Sequence, residues 1–548
     1  MITPVSVTNA HLLENRIVMK HLAIASFIIV GLSSAFAARA DEKPVSPAAE
    51  LCPQGAKTDG QQSGEPVPTV KAAITRHRLT AGGVDFAYTA KVGAILIRDD
   101  HGKPMANIGY FAYTRDVPDR DRSRRPVIFA FNGGPGASSL MLHMGMLGPR
   151  RVVIADPDAA TPPAPYASVA NAFSVLDKSD VVLIDPVGTG ISHPVCDRTI
   201  EDFTSVDKDA DSVSRFVAQY LGDNDRWTSP KYLFGESYGT IRASAVANDM
   251  LANRAVSFDG LILLGLATDL QILASGSRSN ERPYAKFLPG FAAVAWYHGT
   301  MPNRPPALEP FLDEVRAYAA GPYNAALFKG DRISDAERDA VAEQIHRYTS
   351  LSTDFIKSAN LRVSEFAFGN ELLKSRRQTV SRLDGRFVGL TLDPLQRGAA
   401  YDPAFSAIQS NYTAVLQDYL KRDLKLDTTR SYQTWNNAVS HNFDLRHKPV
   451  GGLYGGGGRT QSLVNAGDDL ARVLVEAPET RVLVLAGYYD LGSPFTAAEY
   501  MVSHLGVPKA ASERIEIKYY ESGHMIYVHQ PSLEKLKRDI DAFLEAKR

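Results

Sequence analysis

Gly235-Glu-Ser237-Tyr-Gly239 puts a serine between two glycines, directly after the apolar run Tyr232-Leu-Phe234 and before the helix-favouring stretch Thr240–Leu251. This is the G-x-S-x-G pattern of an acyl-transfer nucleophile. The glycines are needed because neighbouring Cβ atoms on so sharp a strand-to-helix turn would collide with the strand or the helix. The turn lifts Oγ above the sheet at a helix N-terminus, whose partial positive charge favours a developing oxyanion. Such a hydroxyl also needs a base and a group to orient it. Asp490 follows the run Val482–Ala486, and His524 follows the alternating run Ile515–Tyr520. An aspartate at a strand end can be merely a helix cap, and a loop histidine can be inert. Taken in the order Ser237, Asp490, His524, each just past a strand, the three fit nucleophile, orienter and general base. Asn132-Gly-Gly134-Pro-Gly-Ala-Ser-Ser139 follows the strand-like Val127–Phe131. A glycine-rich loop there can set a backbone N–H opposite the nucleophile and complete an oxyanion hole with the N–H of Tyr238.

The elements that must carry these residues are short strands apolar on both faces, at Val127–Phe131, Val181–Ile184, Lys231–Phe234, Leu261–Leu264 and Val482–Ala486, separated by helical stretches. That alternation predicts an α/β core, a mostly parallel sheet covered by helices on both sides. Alternating runs at 84–89, 92–97 and 107–113 predict antiparallel strands at its start. Between 271 and 470 the alternation stops, and this stretch is expected to form an inserted lid. Within it, Ser334-Asp-Ala-Glu337 reads as a capping box, with Val341, Ile345 and Tyr348 continuing one helical face. The run Arg386–Leu392 could be a strand, and the glycine run at 451–458 is a loop without the Lys-Ser/Thr of a phosphate cradle. The organisation expected is a signal peptide at 1–40, a flexible lead at 41–75, core at 76–270, lid at 271–470 and core again at 471–548.

Composition narrows the classes. The 548 residues carry Lys+Arg 60 against Asp+Glu 61, with 44% hydrophobic and 22% charged positions. These are globular values, and the balance of charge gives no reason to expect nucleic acid or an anionic membrane as partner. Two cysteines exclude a disulfide scaffold and a four-cysteine zinc site, and they could pair with each other in an oxidising compartment. His441 with His447, and His524 with His529, lack a third ligand, so no metal is expected. Met19-Lys-His followed by the apolar run Leu22–Leu32 and Ala38-Arg-Ala40 reads as a cleaved secretory signal, with Met19 as the suspected true start. The expected location is the periplasm or the outside of the cell, with no membrane anchor after cleavage.

Asn132–Ser139, Gly235–Gly239, Gly487-Tyr-Tyr-Asp490, Gly523-His-Met525 and Asp185-Pro-Val-Gly-Thr-Gly-Ile-Ser192 together resemble the signature blocks of the serine carboxypeptidase family, here a bacterial-type member. The resemblance covers roughly 125–270 and 475–531. It implies an α/β-hydrolase fold and removal of C-terminal residues from peptides that have a free C-terminus, without metal or cofactor. It further implies Ser237 as nucleophile, His524 as base and then acid, and Asp490 as the group holding the imidazolium. Gly134 and Tyr238 would be the oxyanion-hole donors, and Asn132, Gly133 and Glu236 the holders of the substrate carboxylate. Glu236 can face a carboxylate only if one of the two is protonated.

Three positions depart from the family pattern. Ala130 stands where a tryptophan is usual, Met146 where many members have a second glutamate, and Gly523-His-Met-Ile-Tyr527 replaces Gly-His-Met-Val-Pro. Without a second glutamate Glu236 loses one reason for a raised proton affinity, so a less acidic optimum is expected. An esterase, a proline-releasing aminopeptidase or an acyltransferase could use the same triad, although Asn132 in place of histidine counts against the first two. A non-catalytic binding protein on a hydrolase scaffold is the remaining class.

Overall fold

The computed structural model describes residues 70–546 except 155–156, 158–162, 277–278, 394, 396–397, 399, 428–429 and 451–458, together with Cys52 and Val67. The expected signal segment, most of the flexible lead and the glycine run at 451–458 lie outside the described residues. Nine strands make the path of the main sheet: β1 (Ala73–Ala81), β2 (Val84–Arg98), β3 (Pro104–Arg115), β4 (Val127–Phe131), β5 (Asp180–Ile184), β6 (Lys231–Glu236), β7 (Gly260–Leu264), β8 (Arg481–Gly487) and β9 (Ile515–Tyr520). Their spatial order is β1-β2-β3-β5-β4-β6-β7-β8-β9, and a tenth short strand, His193–Pro194, pairs with β3. Pairing is antiparallel from β1 to β5 and parallel from there to β9.

The parallel strands are apolar at consecutive positions because both faces are covered. In β4, Ile128 and Ala130 join one buried cluster, while Val127, Phe129 and Phe131 join another on the opposite face. Burying each such large side chain stabilises the fold by roughly 1.5–3 kcal/mol. Helices α1 (Val206–Asp223) and α2 (Tyr238–Arg254) fill the second face, together with α5 (Gly467–Glu476) and α6 (Phe495–Ser503). The intervening stretch supplies α3 (Arg282–Tyr297) and α4 (Pro403–Arg422), and α4 packs with the C-terminal helix α7 (Gln530–Glu545) on the first face. α3 instead centres a third cluster, which takes in Ala486 near the end of β8 and Tyr488, Tyr489 and Leu491 just beyond it. This is the α/β core with a mostly parallel sheet that the strand pattern predicts, in the α/β-hydrolase arrangement that the resemblance implies.

The antiparallel start differs in detail. The two expected strands at 84–89 and 92–97 are one, β2, and β1 precedes them, beginning three residues inside the stretch expected to be a flexible lead. β1 is an edge strand with Ile74 exposed and Arg76 and Arg78 facing outward, so its apolar alternation is too weak to read. The capping serine holds: Ser334 Oγ accepts from the Glu337 amide at 3.2 Å, starting a helix at Asp335–Thr349 that buries Val341, Ile345 and Tyr348. The strand suggested within Arg386–Leu392 is Val388–Leu390, paired with Gln378–Val380. Cys52 and Cys196 are joined in a disulfide with a Cα–Cα distance of 5.2 Å. Among the described residues no helix is long and apolar enough to cross a membrane.

Candidate active site

β6 ends at Glu236 and α2 begins at Tyr238, so Ser237 alone makes the turn between them, at φ 61° and ψ −127°. A serine in this region carries steric strain of order 1–3 kcal/mol, which persists only where surrounding structure enforces it. Here the enforcement comes from backbone. Ser237 N donates to Leu264 O at 2.9 Å, and Ser237 O accepts from Thr240 Oγ1 at 2.7 Å. A Cβ at Gly235 would overlap the main chain of Gly239, and one at Gly239 would stand 2.9 Å from Phe131 O. A Cβ at Gly133 would stand 2.5 Å from Tyr238 N, so the glycine loop lies flat against the elbow. Gly134 follows at φ 104°, a conformation open to glycine. Among the described residues neither the Gly134 nor the Tyr238 amide has a protein acceptor, which leaves both for an oxyanion.

The glycine loop is fixed from behind. Asp185 Oδ1 accepts from Ser139 N at 2.9 Å, Ser139 Oγ at 2.8 Å and Tyr432 OH at 2.9 Å. Burial nevertheless pushes the Asp185 carboxyl up to about 6. Arg242, paired in the interior with Asp209 at 2.8 Å, donates to Asn132 O at 2.5 Å.

His524 reaches the same cavities as Ser237 from the loop after β9. Its Nδ1 lies 2.7 Å from Asp490 Oδ2, and its backbone N donates to Leu383 O at 2.6 Å. Asp490 Oδ1 also accepts from the amides of Gly492 (2.7 Å) and Ser493 (2.9 Å), and Ser493 Oγ donates to Oδ2 at 2.7 Å. Burial opposes a charge on the imidazole, but the Asp490 carboxylate outweighs it, with help from Glu236, and raises its proton affinity. With Nδ1 held by Asp490, Nε2 is the nitrogen left for a hydroxyl. No hydrogen bond joins it to Ser237 Oγ here, and such catalytic bonds commonly tighten only around substrate.

Glu236 is buried beside the nucleophile. Burial pushes its carboxyl up to about 7, against the His524 charge and hydrogen bonds from Tyr527 and Asn132 that pull it down. Tyr527 OH stands 3.0 Å from Oε2 and 3.3 Å from Oε1. Met146, at the position where the resemblance leads one to expect a second glutamate, is buried, and Glu236 has as a partner the phenol of Tyr527, three residues after His524. A Cβ at Gly145 would overlap the Tyr527 ring, which shows how closely the ring fills that space.

Two cavities, of about 340 and 290 Å³, flank Ser237. The smaller is lined by Asn132, Gly133, Glu236, Phe405 and Trp435, the larger by Tyr238, Leu270, Leu273, Leu445 and Leu463. The structure thus brings together every residue singled out in the sequence: Ser237, Asp490, His524, Gly134, Tyr238, Asn132, Gly133 and Glu236. Sequence reasoning missed Ser493 and Arg382 and left Tyr527 as an unexplained departure. Tyr527 could have been found, since a tyrosine replacing the usual residue near a buried glutamate offers a donor; Arg382 lies in a stretch without any motif. Geometrically, a hydroxyl, an imidazole backed by a carboxylate and two free amides suit acyl transfer through a covalent intermediate. Among the described residues no cluster of histidine, cysteine and carboxylate side chains could hold a metal ion.

Comparison with known proteins follows this geometry. The crystal structure of Kex1(delta)p, a prohormone-processing carboxypeptidase from Saccharomyces cerevisiae, superposes with a TM-score of 0.50 at 15% identity, covering 83% of this chain and 91% of that one. That likeness is one of fold. The peroxisomal α/β-hydrolase Lpx1 of the same yeast superposes with a TM-score of 0.35 at 12% identity, covering 88% of this chain and 91% of that one. The pheromone-processing carboxypeptidase KEX1 of Yarrowia lipolytica is 29% identical over 204 residues, which are 37% of this chain and 30% of that protein. The chain therefore spans under a third of that curated relative's length. Residues 106–268, from β3 past β7 and including the glycine loop and the Ser237 elbow, match the model of the serine carboxypeptidase family.

Proposed function

We propose that this protein is a serine carboxypeptidase that releases C-terminal residues from peptides. The observation that carries the reading is Glu236: a buried carboxyl raised to about 7, next to Ser237 and sharing a cavity with Asn132. An ester needs no such group. A peptide's terminal carboxylate does, because a protonated carboxyl and an amide can both donate to it.

In this reading His524 Nε2 takes the proton of Ser237 as Oγ bonds to the scissile carbonyl carbon. The resulting oxyanion sits on the Gly134 and Tyr238 amides, and Asp490 stabilises the imidazolium. The C–N bond then breaks, and His524 passes its proton to the departing amine. Water enters, gives a proton to His524 and attacks the acyl ester, and His524 passes that proton to Ser237 Oγ as the bond between Oγ and the acyl carbon breaks. Asn132, Gly133 and Glu236 hold the leaving residue's carboxylate, which fixes the cut at one residue from the end. The Cys52–Cys196 disulfide supports a periplasmic or secreted location.

The test is a mixed peptide pool incubated with the protein and with Ser237→Ala, read by mass. Stepwise loss from the C-terminus by the first and none by the second is expected, with C-terminally amidated peptides cleaved at least tenfold more slowly. Equal cleavage of acid and amide, or hydrolysis of simple esters alone, would sink the carboxypeptidase reading.

A further inference from the structure

The two cavities beside Ser237 share Gly134, Arg382, Leu383 and His524. Arg382 is the cation at that junction, and its main chain is pinned on both sides. Its N donates to Asp402 Oδ2 at 2.9 Å, and its carbonyl accepts from Leu491 N at 2.9 Å. The guanidinium lies over the Phe366 ring, 5.8 Å from the centroid, and reaches Gly492, where a Cβ would stand 3.1 Å from Nη1. Among the described residues, no acceptor takes a hydrogen bond from this guanidinium and no carboxylate pairs with it.

The nearby carboxylates are engaged elsewhere. Asp402 Oδ1 accepts from Ser381 Oγ at 2.7 Å and Phe405 N at 3.0 Å, and Oδ2 takes the Arg382 and Leu383 amides. Glu236 is bonded to Tyr527, and Asp490 to His524, Ser493 and Gly492. No carboxylate lines the larger cavity: its walls are mostly apolar, with Leu270, Leu273, Leu445 and Leu463, and beyond Arg382 and His524 their polar side chains are the uncharged Ser237, Tyr238 and Ser493. A guanidinium stays charged at any working pH and presents a planar fork of donors matched to a carboxylate. Left without a partner in a recess, it gains most from a ligand that brings one.

We propose that Arg382 is a specificity residue that pairs with an acidic side chain of the substrate next to the scissile bond. This rests on the peptide reading above, in which the terminal carboxylate is taken by Asn132, Gly133 and Glu236. Because the guanidinium serves both cavities, the acid comes either from the residue that acylates Ser237 or from the residue released. Both are the same chemistry, a glutamate or aspartate side chain.

The experiment uses the full chain and N-blocked dipeptides in near-isosteric pairs, Glu-Phe against Gln-Phe and Phe-Glu against Phe-Gln. The expected result is a kcat/KM ratio of about tenfold for Glu over Gln in at least one pair. That ratio falls to about one in Arg382→Gln and is partly restored in Arg382→Lys. Taking the ratio within each variant divides out any effect of Arg382 on the imidazole or on folding. The same ratio in both proteins, or no Glu preference in either pair, would overturn the proposal. If the protein cleaves no peptide at all, the peptide reading fails separately. Arg382 is then read with p-nitrophenyl hemiglutarate against p-nitrophenyl valerate. A preference for the anionic ester that vanishes in Arg382→Gln keeps the anion-reading role, and a preference that survives ends it.

Discussion

Around Ser237 the close neighbours are main-chain atoms. Gly235, Gly239 and Gly133 each stand where a Cβ would press on backbone of the facing turn, and Ser237 itself is held by Leu264 O and Thr240. Around Glu236 and Arg382 the neighbours are side chains: the Tyr527 phenol, the Asn132 amide and the Phe366 ring. Backbone contacts cannot be altered one residue at a time without moving the turn, whereas a side-chain contact changes with a single substitution. The first region therefore holds the geometry of the reaction constant, and the second is free to reset what is bound. This chain illustrates the point, since its glycine loop and elbow keep the family pattern while Met146 and Tyr527 rearrange the partner of Glu236.

The largest expected effect breaks the reaction machinery and disturbs Glu236 little, since the Asp490 charge acts on that carboxyl less than burial, His524, Tyr527 and Asn132 do. Asp490 accepts from Gly492, Ser493 and the imidazole at once. Asp490→Asn keeps the shape but offers the ring a donor and removes the charge behind the imidazolium. In the proposed mechanism kcat falls about 10⁴-fold while KM for free-acid peptides moves less than about threefold. Steady-state kinetics on one blocked dipeptide decide it. If KM moved as far as kcat, the two regions would not be separable.

The same division explains what could be read in advance. Ser237, Asp490 and the loop at Asn132–Ser139 were legible because each follows a strand that is apolar at consecutive positions, and His524 because it follows an alternating one; a turn as sharp as the elbow also demands glycine at fixed offsets. The parallel core was legible for the same reason, through β4 to β8. Ser493 and Arg382 were not, since their roles depend on which side chains a non-repeating stretch brings across the site, and no local pattern encodes that. β1 was missed because an edge strand with one solvated face carries arginines where an interior strand carries valines. Tyr527 was visible only as a departure. Its meaning required the distance to Glu236.

A smaller effect tests the second region through pH. Glu236, raised to about 7 by burial, is protonated below that value and can donate to a substrate carboxylate. Above it the group ionises and repels the same carboxylate, so KM for free-acid peptides should climb about tenfold over the next pH unit or so. His524, its proton affinity raised by Asp490 and Glu236 despite burial, sets the opposite limb: kcat falls as pH drops and the imidazole is charged. Glu236→Gln cannot ionise yet keeps a donor. Its KM should stay level between pH 6 and pH 9 while the acid limb of kcat remains. A KM that still climbed in the variant would place the titrating group elsewhere.

The smallest effect sharpens the comparison most, because its sign runs against simple loss of function. Tyr527 donates to the Glu236 carboxylate at 3.0 Å, and that bond favours the ionised form. Tyr527→Phe keeps the ring that fills the space beside Gly145 and removes only the hydroxyl. A hydrogen bond is worth about 1.5 kcal/mol or more to a charged group and about 1 kcal/mol to a neutral one, so the Tyr527 hydroxyl favours the ionised form by on the order of 0.7 kcal/mol, about half a pH unit. The alkaline limb of KM should therefore move to higher pH by about half a unit, and free-acid peptides should bind better above pH 7 in the variant than in the parent protein. The measurement is KM against pH for a blocked dipeptide, with its methyl ester as the control that carries no terminal charge and should show no limb in either protein. A limb moved downward, or one appearing equally with the ester, would mean that Tyr527 holds the substrate itself rather than setting the charge on Glu236.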